Sequence, residues 1–166
     1  MTDTIAAARL AAFLSRSAAE PFVYGESDCS MFLANWVREV TGRDPAGELR
    51  RAYSDEPGWR SLVAEAGGLA VLVGRLALVA GLSPVATPGE ARVGDIAVVG
   101  IPALGSGGWR FEAGAICSSF GPMGMPRWVT KLTRGISRLQ STPLAMWTFA
   151  RPRAAQGKGE WREGDV

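Results

Sequence analysis

Tyr24-Gly25-Glu26-Ser27-Asp28-Cys29-Ser30-Met31-Phe32-Leu33-Ala34-Asn35-Trp36-Val37-Arg38-Glu39-Val40-Thr41-Gly42 is the stretch on which the reading of this chain turns. Cys29, Phe32, Leu33, Trp36, Val37 and Val40 recur at i, i+3, i+4, i+7, i+8 and i+11, which is one face of an α-helix. Ser27 or Asp28 is a good N-cap, Thr41-Gly42 ends the helix, and Asp44-Pro45 forbids its continuation. Cys29 therefore stands in a first turn. Unsatisfied N–H groups and the helix dipole favour negative charge there. A thiolate so placed is expected to have a lowered pKa and to serve as a nucleophile. The alternative is that Cys29 is simply the first core residue of the helix.

On the N-terminal side, Thr2 or Asp3 caps a helix to about Ser17, with Ile5, Leu10, Phe13 and Leu14 as its apolar face. Pro21 breaks that pattern, and Phe22 to Gly25 reads as a short extended approach. Beyond Pro45, Glu48 to Tyr53 reads as a short helix. Pro57 to Ala66 reads as another, stopped by Gly67-Gly68, and Leu69 to Ala80 as an apolar one. After Pro84 the character changes. Asp95 to Val99 is a β-branched run. From Arg110 to Ser118, Phe111, Ala113, Ala115 and Cys117 alternate with Glu112, Gly114 and Ile116. Arg127 to Lys131 and Ala145 to Ala150 read as further strands. Helices fill the first half and strands the second, which predicts an α+β fold. No repeat and no long linker divides the chain. The expectation is one domain, 1–151, followed by a polar tail, 152–166, flexible or bound by a partner, with Trp161 as its one anchor.

The chain has 166 residues, 47% hydrophobic and 20% charged, which are ordinary globular values. A net charge of +2 argues against nucleic acid as the main partner. Cys29 and Cys117 do not make a disulfide framework, and Cys117 on its strand is expected to be core. With two distant cysteines and no histidine, neither a zinc site nor a cofactor is expected. No basic run precedes an apolar one at the N-terminus. The longest apolar stretch, Leu69 to Leu82, is broken by Gly74 and Arg75 and too short to span a bilayer. The chain is thus expected to be made in the cytoplasm, with no membrane span. Gly105-Ser106-Gly107-Gly108 lacks the following lysine of a phosphate loop.

Three segments carry a resemblance. Tyr24-Gly25 followed by Asp28-Cys29-Ser30 and the helix to Thr41-Gly42 resembles the nucleophile segment of NlpC/P60 peptidases. Val93-Gly94-Asp95-Ile96-Ala97-Val98 resembles their glycine–aspartate turn and first core strand. Gly114-Ala115-Ile116-Cys117 resembles the next strand, with short strands following around Trp128 and Trp147. In order, these pieces cover roughly residues 20 to 150. Small phage-encoded relatives insert helices after the position of Thr41-Gly42, with a pattern like Leu49-Arg50-Arg51-Ala52-Tyr53.

The resemblance implies a papain-related α+β fold, with N-terminal helices packed on a small antiparallel sheet and Cys29 as nucleophile. It implies a place in a phage-like particle, with other tail proteins and peptidoglycan as partners. Tyr24, Asp28 and Trp109 are candidate binding residues. The family's basic histidine would fall near Glu112-Ala113-Gly114, and the chain has none there or anywhere else. Glu112 could act as base only if burial raised its pKa, and its carboxylate would disfavour a thiolate. Asp28 fits a helix cap better than a catalytic group. The loop Gly121 to Pro126 reads as a surface connection or, with Met123 and Met125, as a contact loop. The expected function is a non-catalytic assembly component of a phage-like tail tip. The alternative is an active cell-wall peptidase or amidase using Cys29.

Overall fold

The computed structural model describes residues 3–102 and 109–150. Four helices come first: α1 (Asp3–Ala19), α2 (Cys29–Thr41), α3 (Glu56–Ala66) and α4 (Leu69–Val79). Six strands follow: β1 (Ser83–Pro84), β2 (Ile96–Pro102), β3 (Trp109–Phe120), β4 (Pro126–Leu132), β5 (Gly135–Leu139) and β6 (Pro143–Thr148). They form one antiparallel sheet in the order β1-β6-β2-β3-β4-β5. The fold is α+β, as the segregation of the two patterns implied.

The helix termini follow local chemistry. The Asp28 side chain accepts from the Ser30 and Met31 N–H groups, and Gly42 closes α2 in the left-handed region at φ 73°. Asp55 caps α3 by accepting from the Gly58 N–H at 2.8 Å. α2 is the central helix. Phe32, Leu33, Trp36 and Val37 are buried with Leu10 and Phe13 of α1, Leu69 and Val73 of α4, and Ile96, Val98, Ile116 and Val129 of the sheet. Trp36 sits at the middle of this core, its ring centroid 5.2 Å from that of Phe13, with Nε1 donating to the Gly94 carbonyl at 2.7 Å. The opposite face of the sheet encloses Ala97, Val99, Ala115, Cys117, Trp128 and Met146. Lys131, its side chain 1% exposed, pairs with Glu20 at 3.3 Å and ties the end of α1 to β4.

Several elements differ from expectation. Residues 48–53 do not form a helix: a single 3-10 turn, Gly47–Leu49, is followed by Arg51 at φ 60°, which ends any helical path. Phe22 to Gly25 is not an extended run throughout, because a turn begins at Tyr24, held by the Ser27 N–H donating to the Val23 carbonyl at 2.8 Å. Asp95 precedes its strand, and its carboxylate caps the turn by accepting from the Arg92 N–H at 2.9 Å. β1 and β5 were not anticipated. β1 is two residues long, and Gly-Ile-Ser-Arg-Leu in β5 is a strand because β4 pairs with it from Trp128 to Leu132. The 121–126 loop holds a 3-10 turn, Pro122–Gly124, that leaves Met123 97% exposed. Residues 103–108 and the tail 152–166 with Trp161 lie outside the described residues. No single described helix is long and apolar enough to cross a membrane.

Candidate functional site around Cys29

The α2 N-terminus meets the sheet at Gly114 of β3. A Cβ built on Gly114 would stand 2.6 Å from Leu33 Cδ1 and 2.7 Å from the Cys29 carbonyl oxygen. Only a residue without a side chain lets the first turn of α2 approach the strand this closely. Cys29 is 8% exposed, at the head of the helix and against the strand that carries Glu112. Glu112 is half-buried, opposite Gly100 of β2, and shares a face with Gly114 by strand alternation. The backbone of Trp109 opens β3 opposite Pro102, while its side chain lies outside the described residues.

Asp28 organises the turn. Its side chain is fully buried and its oxygens are committed. Oδ1 accepts from the Ser30 N–H at 2.8 Å and the Met31 N–H at 3.0 Å. Oδ2 accepts from the Gly25 N–H at 2.7 Å and the Tyr53 hydroxyl at 2.7 Å. Tyr53 is a site residue the sequence did not single out. It lies 25 positions from Asp28, and no local spacing signals a contact of that kind. Tyr24 flanks the turn, its ring centroid 5.1 Å from Phe22 and 6.5 Å from Tyr53. Burial and then the nearby charges of Glu56, Cys29 and Asp28 raise its phenol pKa. Burial, with Asp28 beside it, also raises that of Tyr53.

The expectation of a lowered thiol pKa is overturned. Burial, then the Asp28 carboxylate, push Cys29 up to about 11, against weaker opposing interactions with the Gly114 backbone and Ser30. The physical reason is visible in the cap. Two N–H groups of the first turn, those of Ser30 and Met31, are already bound to Asp28, whose own charge repels a thiolate. Cys117, fully buried on the far face, is likewise pushed up to about 12, chiefly by burial. Among the described residues no three metal-ligating side chains cluster.

One prediction arises here. A thiol with a pKa near 11 reacts only through a small thiolate fraction at neutral pH. Alkylation of Cys29, followed by peptide mass spectrometry, is expected to accelerate without a plateau from pH 7 through pH 10. A plateau reached by about pH 8, near the ordinary thiol value, would mean that the helix terminus stabilises the thiolate after all.

Cys29 thus stands at the head of the central helix, pressed on a strand glycine and beside a buried carboxylate. The chain belongs to the family described as a domain of unknown function (DUF6950), whose model matches residues 3–126. The match takes in all four helices and β1 to β3, hence Asp28, Cys29, Glu112 and Gly114. No curated protein and no solved structure matches the chain.

Proposed function

We propose that this protein is a non-catalytic assembly component of a phage-like tail, in the region of the tail tip, built on a degenerate NlpC/P60-like fold. The observation that carries the non-catalytic half is the state of Cys29. Its thiol is held protonated beside a buried carboxylate, and the chain contains no histidine. A cysteine hydrolase needs one group to hold the thiolate and then protonate the leaving amine. Asp28 can do neither while its oxygens accept four hydrogen bonds. The tail assignment rests on the resemblance of the 24–42, 93–98 and 114–117 segments to small phage-encoded relatives. On this reading the partners are other tail proteins and peptidoglycan, and the protein is carried in the particle.

The second reading, an active cell-wall peptidase or amidase, has one observation in its favour: the close seat of Cys29 on the β3 glycine. One experiment separates the two. Purified protein is incubated with cell-wall fragments beside a Cys29→Ser control, and new amino termini are followed. Equal inertness of both forms is expected. Cleavage that depends on Cys29 would promote the hydrolase. Co-purification with assembled tail particles tests the remaining half of the proposal, and absence from them would remove it.

A further inference from the structure

Arg50 and Arg51 are neighbours in sequence, yet both line one groove between α1, α2 and their own segment. Adjacent side chains of a strand point to opposite faces, and those of a helix do not share one. Here Arg50 is extended, at φ −63° and ψ 126°, and Arg51 turns into the left-handed region at φ 60°. Few residues other than glycine adopt that conformation. Gly25 fixes it: its carbonyl accepts from the Arg51 N–H at 3.0 Å, and a Cβ on Gly25 would strike the Tyr53 carbonyl oxygen.

The groove measures about 700 Å³, and its walls also hold Arg16, Glu26, Asn35 and Arg38. Among the described residues, the ion pairs of Arg38, Arg50 and Arg51 reach only two carboxylates, those of Asp44 and Glu26. Asp44 takes Arg50 side-on, with Nε donating to Oδ2 at 2.6 Å and Nη2 to Oδ1 at 3.0 Å. The Arg50 hydrogen bond holds the Asp44 carboxyl below its ordinary range, so Asp44 stays ionised on that partner. Arg38 reaches the same Oδ2 at 3.7 Å, and Arg51 meets Glu26 at 3.3 Å with both side chains exposed. Pairs of that kind in solvent are held weakly. The other groove carboxylates are engaged: Glu39 accepts from Arg16 at 2.6 and 2.7 Å, and Glu20 pairs with Lys131 at 3.3 Å. The corner at Arg38 and Arg51 is thus short of negative charge.

We propose that this groove binds an acidic peptide segment of a partner protein, one of whose carboxylates takes up Arg38 while Arg51 exchanges Glu26 for a second. Charge complementarity favours an acid. Planar guanidinium groups take carboxylates in two-point contacts, as Arg50 already takes Asp44. Size favours a peptide, because a groove of this volume lies in the range that encloses a larger ligand and a single anion leaves most of it unfilled. The interspersed Glu20, Glu26 and Glu39 set it apart from the basic surfaces that bind nucleic acid. Cys29 does not line the groove, and the binding depends neither on its thiol nor on the tail assignment.

Amide NMR on the full chain tests the site with tetraglutamate blocked at both ends, the matching tetraglutamine, a single blocked glutamate and inorganic phosphate. Tetraglutamate is expected to shift the Asn35, Arg38 and Arg51 amides saturably, at least about tenfold more tightly than single glutamate or phosphate. Tetraglutamine is expected to leave them unmoved. Arg38→Gln with Arg51→Gln is expected to weaken tetraglutamate at least about tenfold without lowering the melting temperature. Arg134→Gln, at an exposed arginine in the turn between β4 and β5, is expected to leave it within about twofold. Equal weakening by Arg134→Gln would show a general attraction between an acidic peptide and a basic chain, and would overturn the site. Phosphate or single glutamate binding as tightly as tetraglutamate would overturn the peptide as occupant. Should the double variant fail to fold, the unaltered chain decides: tetraglutamate shifts that miss Asn35, Arg38 and Arg51 would overturn the proposal.

Discussion

Trp36→Ala is expected to lower the unfolding free energy by about 3–5 kcal/mol, read from urea denaturation at constant m-value. Trp36 is 2% exposed and belongs to the largest core cluster, where Phe13, Phe32, Phe149 and both layers of the domain converge. Truncation removes an indole from a site walled by a helix on one side and the sheet on the other, so the cavity cannot collapse freely. It also strips the Gly94 carbonyl of its donor, 58 residues away, at the turn that launches β2. Trp36→Phe separates the two losses. It keeps most of the volume and is expected to cost less than half as much. A melt unmoved by Trp36→Ala would show that α2 does not pack as described.

Asp28→Ala is expected to cost about 3–5 kcal/mol by the same measurement. Loss of a helix N-cap alone accounts for roughly 0.5–2 kcal/mol. The rest comes from buried donors stranded without an acceptor, at roughly 1–3 kcal/mol each, of which the Tyr53 hydroxyl and Gly25 N–H are the two outside the helix. Asp28→Asn keeps an acceptor for the first turn but turns its amide donor toward both of these groups, which share Oδ2, and is expected to fall between the unaltered chain and the alanine variant. A loss below about 1 kcal/mol for the alanine variant would mean that Asp28 is only a cap.

The expectation for Asp28 was right in kind and too small in extent. Its capping role is written in three adjacent residues, whereas its bond to Tyr53 depends on how the 44–53 segment folds back. That segment is also where the helical reading of 48–53 failed. Leu49 and Tyr53 have a helical spacing, but Arg51 takes a left-handed backbone and the pattern is a coincidence of two inward side chains. α2 was legible because strong periodicity coincides with the Asp28 cap and the Gly42 stop, and α3 and α4 because Gly67-Gly68 divides them and the second is apolar. β2 and β3 were legible from β-branched runs and alternation. β5 was not, since its half-buried Ile136 and Leu139 draw their order from β4 and not from their own sequence. The Cys29 site was legible in position and misread in charge. Spacing places a thiol at a helix terminus, but it does not say that burial and a neighbouring carboxylate, which has taken two of the N–H groups there, oppose its ionisation.

The two borders of the sheet are unequal. At one, β1 offers Ser83 and Pro84, and a proline has no N–H to lend to an incoming strand. At the other, β5 presents five residues with paired neighbours on one side only. Stacking of sheets end to end needs two receptive borders per copy. Among the described residues the β1 border is the poorer of the two for such pairing, since Pro84 lacks an N–H and β1 covers only Trp147 and Thr148 of β6.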